Sequence, residues 1–302
     1  MSENRLKDIL EPRFPGLLQE MKDRITAGER QYNAAAGQPG SGFLWEHTVQ
    51  VAHIAARLAA AEQMAPLLPV LGALFHDTGK FVGGTYHAEL VAEEEHAVRL
   101  VRRLMPPRGL TAVETETVAL SLRALYCEDR TEGPLTGIIH DADFLSKCGC
   151  LGVAAFFTKA ALRQMPLREA LSRWLSKEFT YARAAARILR TAAGRKMAAE
   201  KAGRTEQFFR DLLAELHQWG IAEFTVETRP LADAGWVPSP RVHPATEIVL
   251  VLPARCPTCG EAVSALLETE QGVKCQKLVA RIGCDVDHDG YEMTFCLPEI
   301  AP

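Results

Sequence analysis

Apolar residues recur every three to four positions along most of the chain, the spacing of one buried helix face. Over residues 3–30 that set is Leu6, Ile9, Leu10, Leu17, Leu18, Met21 and Ile25, punctuated by Pro12 and Pro15. Residues 31–42 (QYNAAAGQPGSG) carry the Gly, Pro and Ser of a loop. A long helix is expected from Phe43, its inward face made by Val49, Val51, Ala52, Ile54, Ala55 and Leu58. Pro66 and Pro69 open the next helix, an apolar run through Val70 and Leu74 to His76-Asp77, broken at Thr78-Gly79. A third helix is expected over 88–105, stopped by Pro106-Pro107. A fourth follows over 111–127 and a fifth over Ile138–Cys150. Two long amphipathic helices then cover 151–176 and 178–219.

The pattern changes near residue 220. Residues 220–245 read as irregular, with four prolines, and EIVLVL, VKCQKLVARIGC and YEMTFCL then read as β-strands. The expected fold class is mainly α, a helical bundle followed by a small β-rich C-terminal module. The expected division is an N-terminal helical extension over 1–42, the helical domain over 43–219 and the module over 220–302.

Composition adds bounds. The chain has 302 residues, 47% hydrophobic and 24% charged, as in a soluble globular protein. A net charge of −4 argues against bulk affinity for nucleic acid. No apolar run reaches the roughly 20 residues that span a bilayer. The start, MSENRLKDIL, lacks a signal-peptide layout, so the cytoplasm is the expected location. Five of eight cysteines, Cys256, Cys259, Cys275, Cys284 and Cys296, crowd the C-terminal end. In a reducing compartment such crowding points to metal or redox chemistry rather than disulfides.

The chemistry centres on Leu71–Phe81, LGALFHDTGKF. Burying an unpartnered His or Asp is costly, so His76-Asp77 at the end of an apolar helix calls for a compensating group. His47 upstream and Asp143, in Asp141-Ala142-Asp143 downstream, supply a mixed nitrogen and oxygen set. That set suits Mn, Fe, Co, Ni or Zn with positions left for water and substrate. Asp77 would stand between metal and water, and Lys80 would hold a phosphate as a point charge.

The order His47, His76-Asp77, Asp143 resembles the signature of the HD superfamily of metal-dependent phosphohydrolases. HDTGK resembles its central motif, WEHTVQVA its first-histidine helix, and the likeness covers about residues 43–150. The resemblance selects Asp143 as the last ligand, because the family reads Ala-Asp-x-Leu there, with Asp141 as the fallback. It implies metal-activated hydrolysis of a nucleotide or other phosphate ester. Leu189–Leu216 also resembles the C-terminal helices of bacterial HD nucleotide pyrophosphohydrolases. Binuclear relatives add a His on the following helix, where His96 stands, and then a His pair. SLRALYCEDR stands where that pair would fall, so one metal is expected, with His96 as an additional ligand if there are two. In the pyrophosphohydrolase-like group, residues around Tyr126–Arg130 would approach substrate, but this stretch keeps no motif of that group.

Other polar residues have plainer roles. His53, His140 and His217 read as structural, and His87 as a surface residue or one standing behind the metal ligands. Glu93–Glu95 and the row Arg183, Arg187, Arg190 and Arg195 read as solvated helix faces, one or two of the arginines being alternative phosphate contacts. Cys256-Pro-Thr-Cys259-Gly260 resembles the knuckle of zinc ribbons, with Cys275 and Cys284 completing a structural zinc site and His288 or Cys296 as alternatives. A redox pair or plain free cysteines are the other readings of that module. A different function also stays open, in which the HD domain senses a ligand and the module binds a protein or nucleic acid.

Overall fold

The computed structural model describes residues 3–37, 40, 42–82, 91–125, 133–231, 247–256, 258–271, 276–284 and 290–295. Ten α-helices are followed by five strands among them. The helices are α1 (Asn4–Leu10), α2 (Leu17–Ala35), α3 (Phe43–Ala61), α4 (Leu67–Phe75), α5 (Glu93–Leu104), α6 (Ala112–Arg123), α7 (Pro134–Ser146), α8 (Gly149–Leu162), α9 (Leu167–Ile188) and α10 (Ala192–Gln218). The strands are β1 (Phe224–Pro230), β2 (Glu247–Pro253), β3 (Val263–Gln271), β4 (Gln276–Cys284) and β5 (Tyr291–Phe295). The fold is therefore mainly helical with small antiparallel sheets at the C-terminal end, as the periodicity implies. No single helix among the described residues is long and apolar enough to cross a membrane.

Several expected boundaries move. The loop expected from residue 31 begins later, because α2 continues to Ala35, where Tyr32 stacks on Phe81 with ring centroids 5.0 Å apart. Two helices expected over 151–219 are three. Gln164 takes φ +53° and Pro166 supplies no N–H, so α8 stops at Leu162. A second break at 189–191 arises where backbone N–H groups turn to the Asp141 carboxylate. The stretch expected to be irregular contains β1.

The chain forms two compact units. Unit 1 holds Met1–Lys147 and Leu189–Met197, and unit 2 holds Cys148–Ile188 and Ala198–Pro302. This division differs from the expected boundary near 220, and the reason lies in β2. Its residues Ile248–Leu252 are buried without alternation, in a sheet that has two strands among the described residues, β1 and β2. A two-stranded sheet cannot bury both faces of an apolar strand by itself. Val249 and Val251 instead join a core of Val153, Phe156, Leu171, Leu175, Phe179 and Phe209, drawn from α8, α9 and α10. Helix α9 also satisfies backbone donors of β2: Val251 N donates to Ser176 Oγ at 2.7 Å and Val249 N to Thr180 Oγ1 at 3.0 Å. The second sheet runs β3-β4-β5, all antiparallel, with Val263 opposite Cys284.

In unit 1, α4 is buried without interruption from Pro69 to Phe75. It packs with α3, α6 and α7, so its C-terminal end meets the two helices that carry the other candidate ligands.

Candidate metal centre

Helix α3 presents His47. Its start is held by Glu29 of α2, whose buried carboxylate accepts from the backbone N–H of Gly42 and from that of Leu44 at 3.2 Å. Burial raises the Glu29 carboxyl above its usual range, while the N–H groups of Gly42, Leu44 and Phe43 oppose the shift. The side chain thus satisfies donors at a helix N-terminus that have no intrahelical partner.

His76 and Asp77 follow the last residue of α4. Thr78 Oγ1 donates to Phe75 O at 2.8 Å and Lys80 N to Asp77 O at 3.1 Å, closing the helix into a turn. Gly79 is required there, since a Cβ at that position would lie 2.3 Å from Glu93 O at the start of α5. His76 is 4% exposed, and its Nδ1 donates to Ala73 O at 2.6 Å. That bond places the proton on Nδ1 and leaves the Nε2 lone pair facing inward. A similar relay orients His47. Ser146 Oγ donates to Asp143 O at 2.6 Å, so its oxygen accepts from His47 Nδ1 at 3.4 Å.

His47 Nε2 lies 3.2 Å from Asp143 Oδ1 and 3.3 Å from Asp77 Oδ2. His76 Nε2 lies 3.3 Å from Asp77 Oδ1 and 3.8 Å from Asp143 Oδ1. His47, His76 and Asp143 place one ligand atom each within 4.8 Å of one another. Asp77 stands against both imidazoles, one oxygen toward each. Both Nε2 atoms are buried and make no hydrogen bond of good geometry. Buried polar atoms without such bonds cost free energy unless something binds them. Metal–ligand bonds of about 2.1 Å place adjacent ligand atoms about 3.0–3.4 Å apart, and three of these four separations fall in that range.

The electrostatics favour ionised carboxylates. Burial works against the charge of Asp77, yet His76 and Lys80 hold its carboxyl well below the usual range. Asp143 is likewise held low against burial, by Lys147 and His47. Lys80 Nζ is 2.6 Å from Asp77 Oδ2 and Lys147 Nζ is 2.7 Å from Asp143 Oδ2. The sequence singles out Lys80 but not Lys147. Its place four residues after Asp143 on a helix is the signal that could have found it.

The remaining residues sort differently. Asp141 is fully buried and turns away from the imidazoles. It accepts from Arg190 N, Thr191 N, Thr191 Oγ1 and His140 Nδ1, all at 2.7–2.9 Å for the nearer oxygen. It therefore anchors the segment before α10. His96 is half-buried on α5 and does not join the cluster. Glu95 is not merely solvated, because it forms a two-pronged pair with Arg123 of α6. The arginine row is not one solvated face either. Arg190 Nη2 donates to Leu125 O, and Arg195 Nη1 donates to the carbonyls of Leu189 and Arg190. His53 is half-buried, His140 buried and His217 exposed. His87, Tyr126–Arg130, Cys275, His288 and Cys296 lie outside the described residues. Cys256, Cys259 and Cys284 lie together in unit 2.

Known proteins bear on this arrangement. No curated protein matches the chain. Among solved structures, a predicted HD superfamily hydrolase from an uncultured Thermotogales bacterium is 19% identical, with a TM-score of 0.49 over 71% of this chain and 99% of that one. An HD-superfamily hydrolase from Bacillus thuringiensis is 18% identical, with a TM-score of 0.45 over 66% and 97%. Bacillus subtilis YpgQ, solved in complex with ADP, is 19% identical, with a TM-score of 0.45 over 57% and 88%. Residues 44–146, which carry His47, His76, Asp77 and Asp143, match the model of the HD domain family.

Proposed function

We propose that unit 1 is a metal-dependent phosphohydrolase acting on a nucleotide or another phosphate ester. The observation that supports it best is the convergence of His47 Nε2 and His76 Nε2 on Asp77 and Asp143 without hydrogen bonds of their own. A divalent ion at such a site lowers the pKa of bound water and polarises a phosphoryl oxygen. His47, His76 and Asp143 would hold that ion, with Asp77 as the fourth ligand. Lys80, 20% exposed on its side chain, sets a positive charge beside Asp77, where a phosphate oxygen would be neutralised. Lys147, 46% exposed, sets a second charge beside Asp143, suited to a substrate with more than one phosphate.

The test is a screen of nucleoside phosphates and simple phosphate esters with added Mn, Co and Ni, in wild type and Asp77→Ala. Wild type is expected to release phosphate or pyrophosphate in a metal-dependent way, and Asp77→Ala to lose that activity. Full activity in Asp77→Ala would refute the assignment of the centre. Tight metal binding without turnover on any substrate would replace catalysis with ligand sensing.

A further inference from the structure

Three cysteines in unit 2 meet although the sequence separates them. Cys256 and Cys259 sit in the connection between β2 and β3, and Cys284 is the last residue of β4. The connection is a tight turn: Gly260 N donates to Cys256 O at 2.9 Å and Cys256 N to Glu261 O at 2.8 Å. It closes on a bridge between Arg255 and Ala262, immediately before Val263 pairs with Cys284. That register is what carries Cys284 to the turn.

The three Sγ atoms lie within 4.8 Å of one another, and Cys259 Sγ is 3.6 Å from Cys284 Sγ. A disulfide requires about 2.05 Å. Thiolates bonded to one tetrahedral ion at about 2.3 Å stand about 3.8 Å apart. The observed separation therefore matches two corners of a tetrahedron. Backbone N–H groups of Cys259 and Thr258 point at the Cys256 sulfur, and that of Glu261 at the Cys259 sulfur. These donors lower the Cys256 thiol, whereas at Cys259 the Glu261 N–H is outweighed by burial and the neighbouring sulfurs of Cys284 and Cys256, which raise that thiol. Three thiolates this close repel one another unless a cation lies among them.

We propose that Cys256, Cys259 and Cys284 bind a zinc ion that fastens the β2–β3 turn to the end of β4. Thiolate ligands select a soft or borderline ion, and a closed-shell ion accepts the tetrahedral angle without electronic preference. The ion's role is structural. The hairpin β3–β4 is joined to the preceding chain by a short turn, and the metal fixes that turn in place of a larger apolar core. The site contains sulfur whereas the centre in unit 1 does not, so the two can be told apart by spectroscopy.

The test uses the full chain. Zinc content is measured in wild type, Cys259→Ser, Cys284→Ser and Cys150→Ser, the last an exposed cysteine outside the cluster. Wild type and Cys150→Ser are expected to carry about one zinc per chain more than the other two. Cobalt(II) reconstitution is expected to give an intense thiolate-to-cobalt charge-transfer band in wild type that Cys259→Ser loses. If the serine variants fail to fold, Cys284→His keeps a ligand, and its band is expected to weaken by roughly a third. Alkylation of Cys259 in wild type is expected to be slow until a chelator is added. Three results would each overturn the site: unchanged zinc in Cys259→Ser, no charge-transfer band in wild type, or alkylation of Cys259 indifferent to chelator.

Discussion

Asp141 and Asp143 are two residues apart, chemically identical and both buried, yet the structure gives them opposite tasks. Asp141→Asn and Asp143→Asn should therefore fail in different ways. The Asp141 carboxylate is 0% exposed and accepts from two backbone N–H groups, one hydroxyl and one imidazole. Asparagine keeps one acceptor oxygen and turns an NH2 toward groups that also donate. Hydrogen bonds to charged groups contribute about 1.5–3 kcal/mol each, and leaving the partners of a buried carboxylate unsatisfied costs about 3–5 kcal/mol. For a unit of this size that lowers the melting temperature by on the order of 10 °C. Asp143→Asn should cost clearly less stability, because Lys147 is 46% exposed and can turn to water. It should instead weaken metal affinity by at least about 100-fold. The assay is urea and thermal unfolding followed by circular dichroism in excess chelator, so that metal linkage does not enter. Metal titration of each folded variant follows. An unchanged unfolding midpoint for Asp141→Asn would refute the anchor. So would loss of metal binding in Asp141→Asn equal to that in Asp143→Asn at wild-type stability.

Two further outcomes follow from the same network. A Cβ at Gly194 would lie 2.3 Å from Asp141 Oδ2 and 2.7 Å from Thr191 Oγ1. Gly194→Ala should therefore destabilise by about 1–3 kcal/mol in urea unfolding, although alanine favours the helix by about 1 kcal/mol. His140 is buried, and that burial first, then the nearby Arg190 charge, pushes its imidazole below the ordinary 6.5, with Asp141 opposing. A folded-state value below the unfolded one means that the unfolded chain takes up the proton first as pH falls. Stability should then decline with falling pH below about 6.5, by up to about 1.4 kcal/mol per pH unit from this group. His140→Gln should flatten that part of the stability profile, and an identical slope in both proteins would contradict it.

Much of this was legible in the residues. The 3.6-residue spacing marks α2 and α3, because a helix packed on one face needs apolar side chains along that face, whereas α4 shows as an unbroken apolar run because it is buried all round. His76-Asp77 at the end of an apolar run, with His47 before it and Asp143 after it, marks the candidate centre, because burying such groups is costly without a compensating partner. The three uninterrupted β-like runs mark β2, β4 and β5. β1 and β3 carry no comparable signal, as their faces are only partly buried and polar residues sit among the apolar ones.

Other assignments required the folded chain. Residues two apart on a helix point to nearly opposite sides, so helical pattern alone lets either Asp141 or Asp143 face the imidazoles; the resemblance favours Asp143, and the packing of α7 against α3 and α4 brings it beside them. The division of the chain at Cys148 depends on where β2 finds apolar partners. Periodicity cannot reveal this, since it records that a face is buried and not against what. Cys284 joins Cys256 and Cys259 through the register of β3 on β4, a long-range pairing that spacing along the chain does not encode. Composition and local pattern fix which side chains must leave water; the tertiary fold decides which of them meet.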